Sequence, residues 1–279
     1  MLAGHLARSL ANPLARQLVA APSGLDTSTH DYIAQIRATG VTVTSTQQNA
    51  IDDFIVAEKA ASRWDGHKRI YLPIWLNAAA NAICMKTCTS GTFVNSPTHG
   101  AGFVQGNGST SYFDTGVNWK SLGLSEADAT IGTINYTRNG SANQTSIGVG
   151  DTGATAIRVG SQNSAILPLC AWAGTGIVRG AIGTSGIQMA SRKSGATTMI
   201  RRAAGGITSD TNAGAVTGTV INRSILVMAN GVAGSVTQPS TAQIGGAYIG
   251  AGMDLAALTA FSLNWETLWE ACTGLTLPA

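Results

Sequence analysis

Two Asp-Thr-Gly triplets, Asp114-Thr115-Gly116 and Asp151-Thr152-Gly153, come nearest to a catalytic pattern in this chain. Placed face to face, two such triplets would let a pair of carboxylates share one proton and activate a water. That chemistry needs each triplet in its own lobe. Here the copies are too close in sequence, the chain lacks the length for two lobes, and Gly150 stands where an apolar residue would support the second copy. Asp-Thr-Gly is also a common turn in β proteins, in which the Asp side chain bonds nearby backbone. Asp114 is therefore assigned a structural role.

The other reactive residues are scattered. Cys84-x-x-x-Cys88 supplies two potential metal ligands, but no second Cys/His pair follows at zinc-site spacing, and His67 and His99 are isolated. The four cysteines, Cys84, Cys88, Cys170 and Cys272, make no disulfide framework in a chain of 279 residues and read as buried thiols. Asp151 and Asp210 lack the clustered oxygen ligands of a calcium site. Trp75, Trp119 and Trp172 could stack on sugar rings if exposed, although in a sandwich such residues are more often core. There is no Gly-x-Ser-x-Gly elbow and no phosphate-binding loop. Glycoside hydrolysis needs two carboxylates at roughly 5–10 Å, and none of the 14 acidic residues is paired on a strand. The expectation is a protein that is not an enzyme, with no catalytic, cofactor-binding or metal residue and no cofactor.

Charged residues make up 11% of the chain, under half of the usual value of about 25%. Such a deficit suggests surface buried against other subunits, hence a homo-oligomer within a larger assembly. The net charge is +3, and the densest basic spots, Arg192-Lys193 and Arg201-Arg202, read as a solvated face rather than a nucleic-acid site. No apolar run approaches a membrane span.

Four segments must position whatever these residues do. Leu2, Leu6, Leu10, Leu14 and Leu18 recur every fourth residue, with Asn12 and Pro13 opening a second short helix, so residues 1–28 read as an arm that packs on a neighbour. Residues 29–66 read as helical, with a short helix from Asp31 to Arg37 and a longer one that Ser45-x-x-Gln48 caps and that runs through Trp64. Residues 67–253 read as a β-sandwich of short strands separated by turns such as Asn139-Gly140, Asp151-Thr-Gly153 and Asn230-Gly231. At its centre, Phe103 to Gly116 reads as a hairpin turning at Gly106-Asn107-Gly108. Ala215 to Ile221 is one of the expected strands. Residues 254–279 return to helix, where Leu258, Phe261, Trp265, Leu268, Cys272 and Leu275 form one apolar stripe that docks on the sandwich edge or on the second helix.

The run Gly106-x-Gly-Ser-Thr-x-Tyr-Phe-Asp-Thr-Gly116 resembles the opening hairpin of concanavalin A-like (laminin-G-like) jelly-roll proteins of tailed bacteriophages. Gly186 to Arg192 with Thr197 to Arg202, Ala247 to Gly252 with the closing helix, and the leucine-rich leader resemble further parts of that family in order. Met199-Ile-Arg-Arg-Ala-Ala-Gly205 departs from it in lacking an Asn-Gly turn. The resemblance implies a mainly β, antiparallel two-sheet jelly-roll. It also implies a non-enzymatic structural component of a virion (capsid decoration, tail fibre or tail-associated protein) held to other virion proteins by the N-terminal arm. The alternative is a receptor- or carbohydrate-binding module that attaches to host-surface glycan. No sugar or calcium position carries over from the family.

Overall fold

The computed structural model describes residues 24–137, 144–150, 156–162, 167–172, 175–178, 185–203, 206–213, 218–220, 222–232 and 235–277. The leucine repeats of the arm, the Asn139-Gly140 and Asp151-Thr-Gly153 turns and most of the Ala215–Ile221 stretch lie outside these residues. In chain order the elements are α1 (Thr27–Ala38), α2 (Ser45–Ala60), β1 (His67–Tyr71), α3 (Ala78–Asn81), β2 (Thr92–Val94), β3 (Thr98–Gly100), β4 (Phe103–Gln105), β5 (Tyr112–Asn118) and β6 (Ala129–Thr137). There follow β7 (Gln144–Val149), β8 (Ile157–Gln162), β9 (Leu167–Trp172), β10 (Thr175–Val178), β11 (Gly186–Lys193), β12 (Ala196–Ala203) and β13 (Gly206–Asn212). The last are β14 (Ser224–Val227), β15 (Asn230–Val232), β16 (Ser235–Thr237), β17 (Gln243–Gly250) and α4 (Leu255–Thr273). Among the described residues no helix is long and apolar enough to cross a membrane.

The protein is mainly β, with two antiparallel sheets and helices toward both ends. The first sheet runs β13-β12-β11-β6-β17-β4-β3, and β1 pairs with β17 beyond the end of β4. The second runs β10-β9-β8-β7-β14-β5-β2, and β15 and β16 form a separate ribbon. In both sheets a late strand inserts between two early ones: β17 between β6 and β4, β14 between β7 and β5. The Phe103–Gly116 stretch is consequently not a hairpin. β4 and β5 belong to different sheets, and the Gly106-Asn107-Gly108 turn carries the chain between them. Local turn chemistry could not reveal this, because the partners that displace the hairpin pairing, β17 and β14, come more than a hundred residues later. Asn230-Gly231 is likewise no turn: it opens β15 opposite Thr237 and Val236. The β11–β12 turn is made by Ser194 (φ 54°) and Gly195 (φ 88°), and β12 pairs with β11 through to Arg202 opposite Ile187, without a break over Met199–Arg202.

Strand alternation builds two cores on opposite faces of the first sheet. Facing the second sheet are Val104, Ile131, Ala190, Met199, Ile244, Ala247 and Ile249, which meet Phe113, Ile147, Val149, Ile157, Val159, Ile225 and Val227. The opposite face presents Ile70, Ile134, Ile187, Met189, Ile200 and Tyr248 to the helices. The expected α4 stripe lies on this face: Leu258, Phe261, Trp265, Leu268 and Cys272 are buried there together with Trp269. Phe261 also meets Phe54 of α2 with ring centroids 6.1 Å apart. Thr44, not Ser45, caps α2: its side chain accepts from Gln47 N at 3.2 Å while Gln47 Oε1 accepts from Thr44 N at 3.0 Å. Polar ties place α4 along its length. Asn264 donates to Glu58, Arg202 pairs with Glu266, and Trp269 Nε1 donates to Gly102 O at 2.9 Å.

Two glycines let the indole rings lie against β17. A Cβ at Gly245 would sit 2.6 Å from Trp269 Nε1, and one at Gly246 would sit 2.7 Å from Trp265 Cζ2. Overpacking of this kind costs about 1–3 kcal/mol. Gly246→Ala should lower the urea midpoint accordingly without changing the slope. An unaltered midpoint would show that α4 does not press on β17 as described.

Candidate functional site

One register row across four neighbouring strands of the first sheet is polar and uncharged. Thr98 on β3 stands opposite Gln105 on β4, Gln105 opposite Gln243 on β17, and Gln243 opposite Thr137 on β6. Their side chains are exposed or half-buried. Hydrogen bonds run through the row in one direction. Thr137 Oγ1 donates to Gln243 Oε1 at 2.7 Å, Gln243 Nε2 to Gln105 Oε1 at 3.4 Å, and Gln105 Nε2 to Thr241 O at 3.0 Å. A carboxamide offers two N–H donors and two acceptor lone pairs, so among the described residues each glutamine keeps a donor and an acceptor in hand.

Aromatic surface adjoins the row. Phe103 lies two residues before Gln105 and so faces the same side of β4, about 7 Å along the strand at ordinary rise. Its ring stacks on Tyr136 with centroids 6.1 Å apart and planes 13° from parallel, and Tyr136 rests on Trp269 at 5.4 Å. Phe103 and Tyr136 are half-buried, and Trp269 is buried.

The segment from Gln238 to Thr241 carries this chemistry across to the second sheet. Thr145 N donates to Gln238 O at 3.0 Å, and Gln238 Oε1 accepts from Thr145 Oγ1 at 3.0 Å and from the Arg158 guanidinium. Gln144 Nε2 donates to Thr241 Oγ1 at 3.2 Å, and its Oε1 accepts from Ser240 Oγ at 3.2 Å. Gln238 holds φ at 52°, a left-handed conformation that costs a residue with a side chain about 1–3 kcal/mol and tends to mark functional positions. Against this segment packs the Gly106-Asn107-Gly108 turn. A Cβ at Gly106 would lie 2.6 Å from Ser240 O, and one at Gly108, where φ is 72°, 2.6 Å from Thr241 Cγ2. Asn107 Oδ1 gathers the N–H groups of Ser109, Thr110 and Ser111 at 2.9, 2.8 and 3.0 Å. The end of the sandwich is thus lined by carboxamides and hydroxyls, with Arg158 at its margin.

The residues singled out by sequence lie elsewhere. Asp114 Oδ1 accepts from Gly116 N at 2.8 Å, a local turn bond, while Asp151 lies outside the described residues. Trp75 and Trp119 are buried; the Trp172 side chain is outside the description. Cys84, Cys88 and Cys272 are free thiols, and burial pushes Cys88 upward and Cys272 up to about 12, which favours the thiol over the nucleophilic thiolate in both. His99 Nδ1 accepts from Asn81 Nδ2 at 3.0 Å, and burial lowers its pKa. No group of metal-ligating side chains occurs among the described residues. The glutamine row escaped the sequence reading because Gln105, Thr137 and Gln243 are far apart in the chain and none belongs to a recognised motif. The one local trace is Gln105 beside the Gly-Asn-Gly turn.

Loss of the three-amide acceptor at Asn107 should loosen this turn. Asn107→Ala should cost about 1–2 kcal/mol, and hydrogen exchange should quicken at Ser109–Ser111 while β6 stays protected. Unchanged exchange at those amides would contradict the role given to Asn107.

No protein-family model matches the chain, and no curated protein matches it in sequence. Solved structures do. A mutant of Trypanosoma rangeli sialidase that displays trans-sialidase activity matches 87% of this chain and 38% of its own at a TM-score of 0.53 and 9% identity. Trypanosoma rangeli sialidase in complex with 2,3-difluorosialic acid matches 87% of this chain and 39% of its own at a TM-score of 0.50 and 8% identity. The enzymatically active domain of bacteriophage CBA120 tailspike protein 2 matches 68% of this chain and 30% of its own at a TM-score of 0.39 and 10% identity. The chain thus spans about a third of the length of the proteins it matches, and what it shares with the sialidases is fold.

These likenesses overturn the expectation that the protein is not an enzyme, since the structures that share its fold are those of enzymes. The physical reason is that a fold can bring together carboxylates from separate strands and loops, so the lack of a local acidic pair in the sequence does not exclude an enzyme.

Proposed function

We propose that the chain is a carbohydrate-recognition β-sandwich of jelly-roll type, associated with the tail or surface of a phage particle, and that the carboxamide end is its recognition surface. The observation that carries this reading is the uncharged Thr98–Gln105–Gln243–Thr137 row beside the stacked Phe103–Tyr136 pair. A sugar ring presents alternating hydroxyl donors and acceptors on its rim and C–H groups on its face. Spare carboxamide donors and acceptors match the rim, and a half-exposed aromatic pair matches the face. The lack of acidic side chains in the row favours neutral hexose or N-acetylhexosamine units. The insertion of β14 and β17 between early strands supports the jelly-roll assignment, as Greek-key connections of this kind build such sandwiches. The motif resemblance to phage proteins supports the virion setting, and the low charge supports assembly with other subunits, for which residues 1–28 supply an anchoring arm.

An array of neutral and acidic glycans tests the reading. The protein should retain neutral hexose-containing glycans, and Gln105→Ala with Gln243→Ala should weaken that binding about tenfold or more, the loss expected for two hydrogen bonds of ordinary strength. An array that stays blank, or a double variant that binds as well as the parent, would overturn it.

A further inference from the structure

Beneath the helices lies a second polar cluster that the carboxamide end does not use. Glu58 of α2 is fully buried, and four donors converge on its carboxylate. Arg63 Nε reaches Oε2 and Arg63 Nη2 reaches Oε1, each at 2.7 Å; Asn264 Nδ2 of α4 reaches Oε1 at 2.7 Å; and His67 Nε2 of β1 lies 3.0 Å from Oε2. The other ring nitrogen of His67, Nδ1, lies 2.8 Å from Tyr248 Oη on β17. A carboxylate can only accept, so Nε2 carries the proton; Nδ1 then accepts from the phenol, and the ring is held as a single neutral tautomer. One imidazole therefore joins α2 and α4, through Glu58, to the two strands beneath them. It is enclosed by rings: Trp64, Tyr248 and Phe261 lie 5.8, 5.3 and 5.1 Å away, centroid to centroid. Gly250 belongs to the same arrangement, since a Cβ there would collide with Tyr248 Oη.

We propose that this cluster is an acid-sensitive latch, in which uptake of a proton by His67 lets the α2–α4 layer open from the first sheet before the sandwich itself unfolds. A doubly protonated ring donates from both nitrogens, with the Tyr248 hydroxyl turned to accept, but it places a charge in a dry, ring-lined site whose one carboxylate is already paired with Arg63, and that burial cost favours the open layer. The charges around the ring discourage the extra proton. Arg63, from the turn after α2, already neutralises Glu58, and Lys86, stacked over Trp64 at 4.4 Å, adds a second positive charge. Of the other charged groups on these elements, Lys59 pairs with Asp26, Glu266 of α4 with Arg202, Asp52 accepts from Asp26 N, Arg69 donates to Lys68 O, and Glu270 accepts from Leu277 N. Asp65, in the turn after α2, acts on Lys86, and β17 contributes the phenol alone.

The direction of the pH effect follows. Burial lowers the pKa of His67 against the pull of Glu58, and Arg63 and Lys86 lower it further. The folded ring thus binds a proton less tightly than the unfolded one, whose value is near 6.5. Its contribution is complete above that pH and declines as pH falls below it. For Glu58, burial opposes ionisation, but the bonds from Arg63, His67 and Asn264 outweigh it and hold the carboxyl down at about 2 against an ordinary 4.5. Its share therefore begins to fall only below pH 4.5. Within this cluster the loss between those two values belongs to His67; His99, whose pKa burial also lowers, lies on β3 outside it.

Hydrogen exchange of the full chain from pH 7 to 4.5, expressed as protection so that intrinsic pH dependence cancels, tests the latch. Protection of α4 should fall below pH 6.5, by at most tenfold per pH unit, the limit for one proton, while β6 stays protected. His67→Gln can donate to Glu58 and accept from Tyr248 but cannot take up a proton, so α4 protection in this variant should stay flat over the same range. Flat α4 protection in the parent, α4 and β6 losing protection together, or a fall in the variant as steep as the parent's would overturn the proposal.

Discussion

The whole arrangement depends on β17 holding its register between β6 on one side and β4 and β1 on the other. Because side chains alternate across a strand, this one segment serves two cores at once. Ile244, Ala247 and Ile249 enter the space between the sheets, and Tyr248 enters the layer beneath the helices. A one-residue slip would exchange the two sets. It would drive the Tyr248 phenol into the core between the sheets and strand His67 without its partner. The register shifts at Gln243–Gly246 bring the glycines Gly245 and Gly246 beneath the indoles of α4. The start of β17 supplies Gln243 to the polar row, and its later half supplies Tyr248 to the buried cluster. Site and latch are thus two products of one strand's placement.

The low charge of the chain takes a concrete form at the carboxamide end. Glutamine, threonine, serine and asparagine supply the hydrogen-bonding groups that Lys and Glu supply on most surfaces, and they bond first to one another. Such a surface is held in place before any ligand arrives, which reduces the ordering cost of binding. Gln238 shows what the arrangement demands of the backbone, since its left-handed conformation is what lets one residue tie β7 and β8 to the crossing segment.

Local signals in the sequence were legible where local physics decides. The α4 stripe follows from spacing, and the turn at Asp114 follows from side-chain-to-backbone bonding over two residues. The α2 cap was legible to within one position: Thr44-x-x-Gln47 and Ser45-x-x-Gln48 satisfy the same pattern, and only the packed structure distinguishes them. Pairings between distant segments were not legible. Phe103–Gly116 has the composition of a hairpin, but burial favours giving its two strands to different sheets, with β17 and β14 as their neighbours. Asn230-Gly231 has the composition of a turn, yet it starts a strand. The polar row draws on four strands spread over most of the chain, and no single stretch of sequence announces it.

The most direct measurement follows the side-chain Nε2 resonances of Gln105 and Gln243 by NMR while neutral oligosaccharides are added to the full chain. Recognition at the carboxamide end predicts saturable shifts of these two signals and of the Phe103 and Tyr136 rings, with Asn264 unmoved in its buried cluster. Saturable shifts confined to other parts of the molecule, or none with any neutral oligosaccharide, would contradict it.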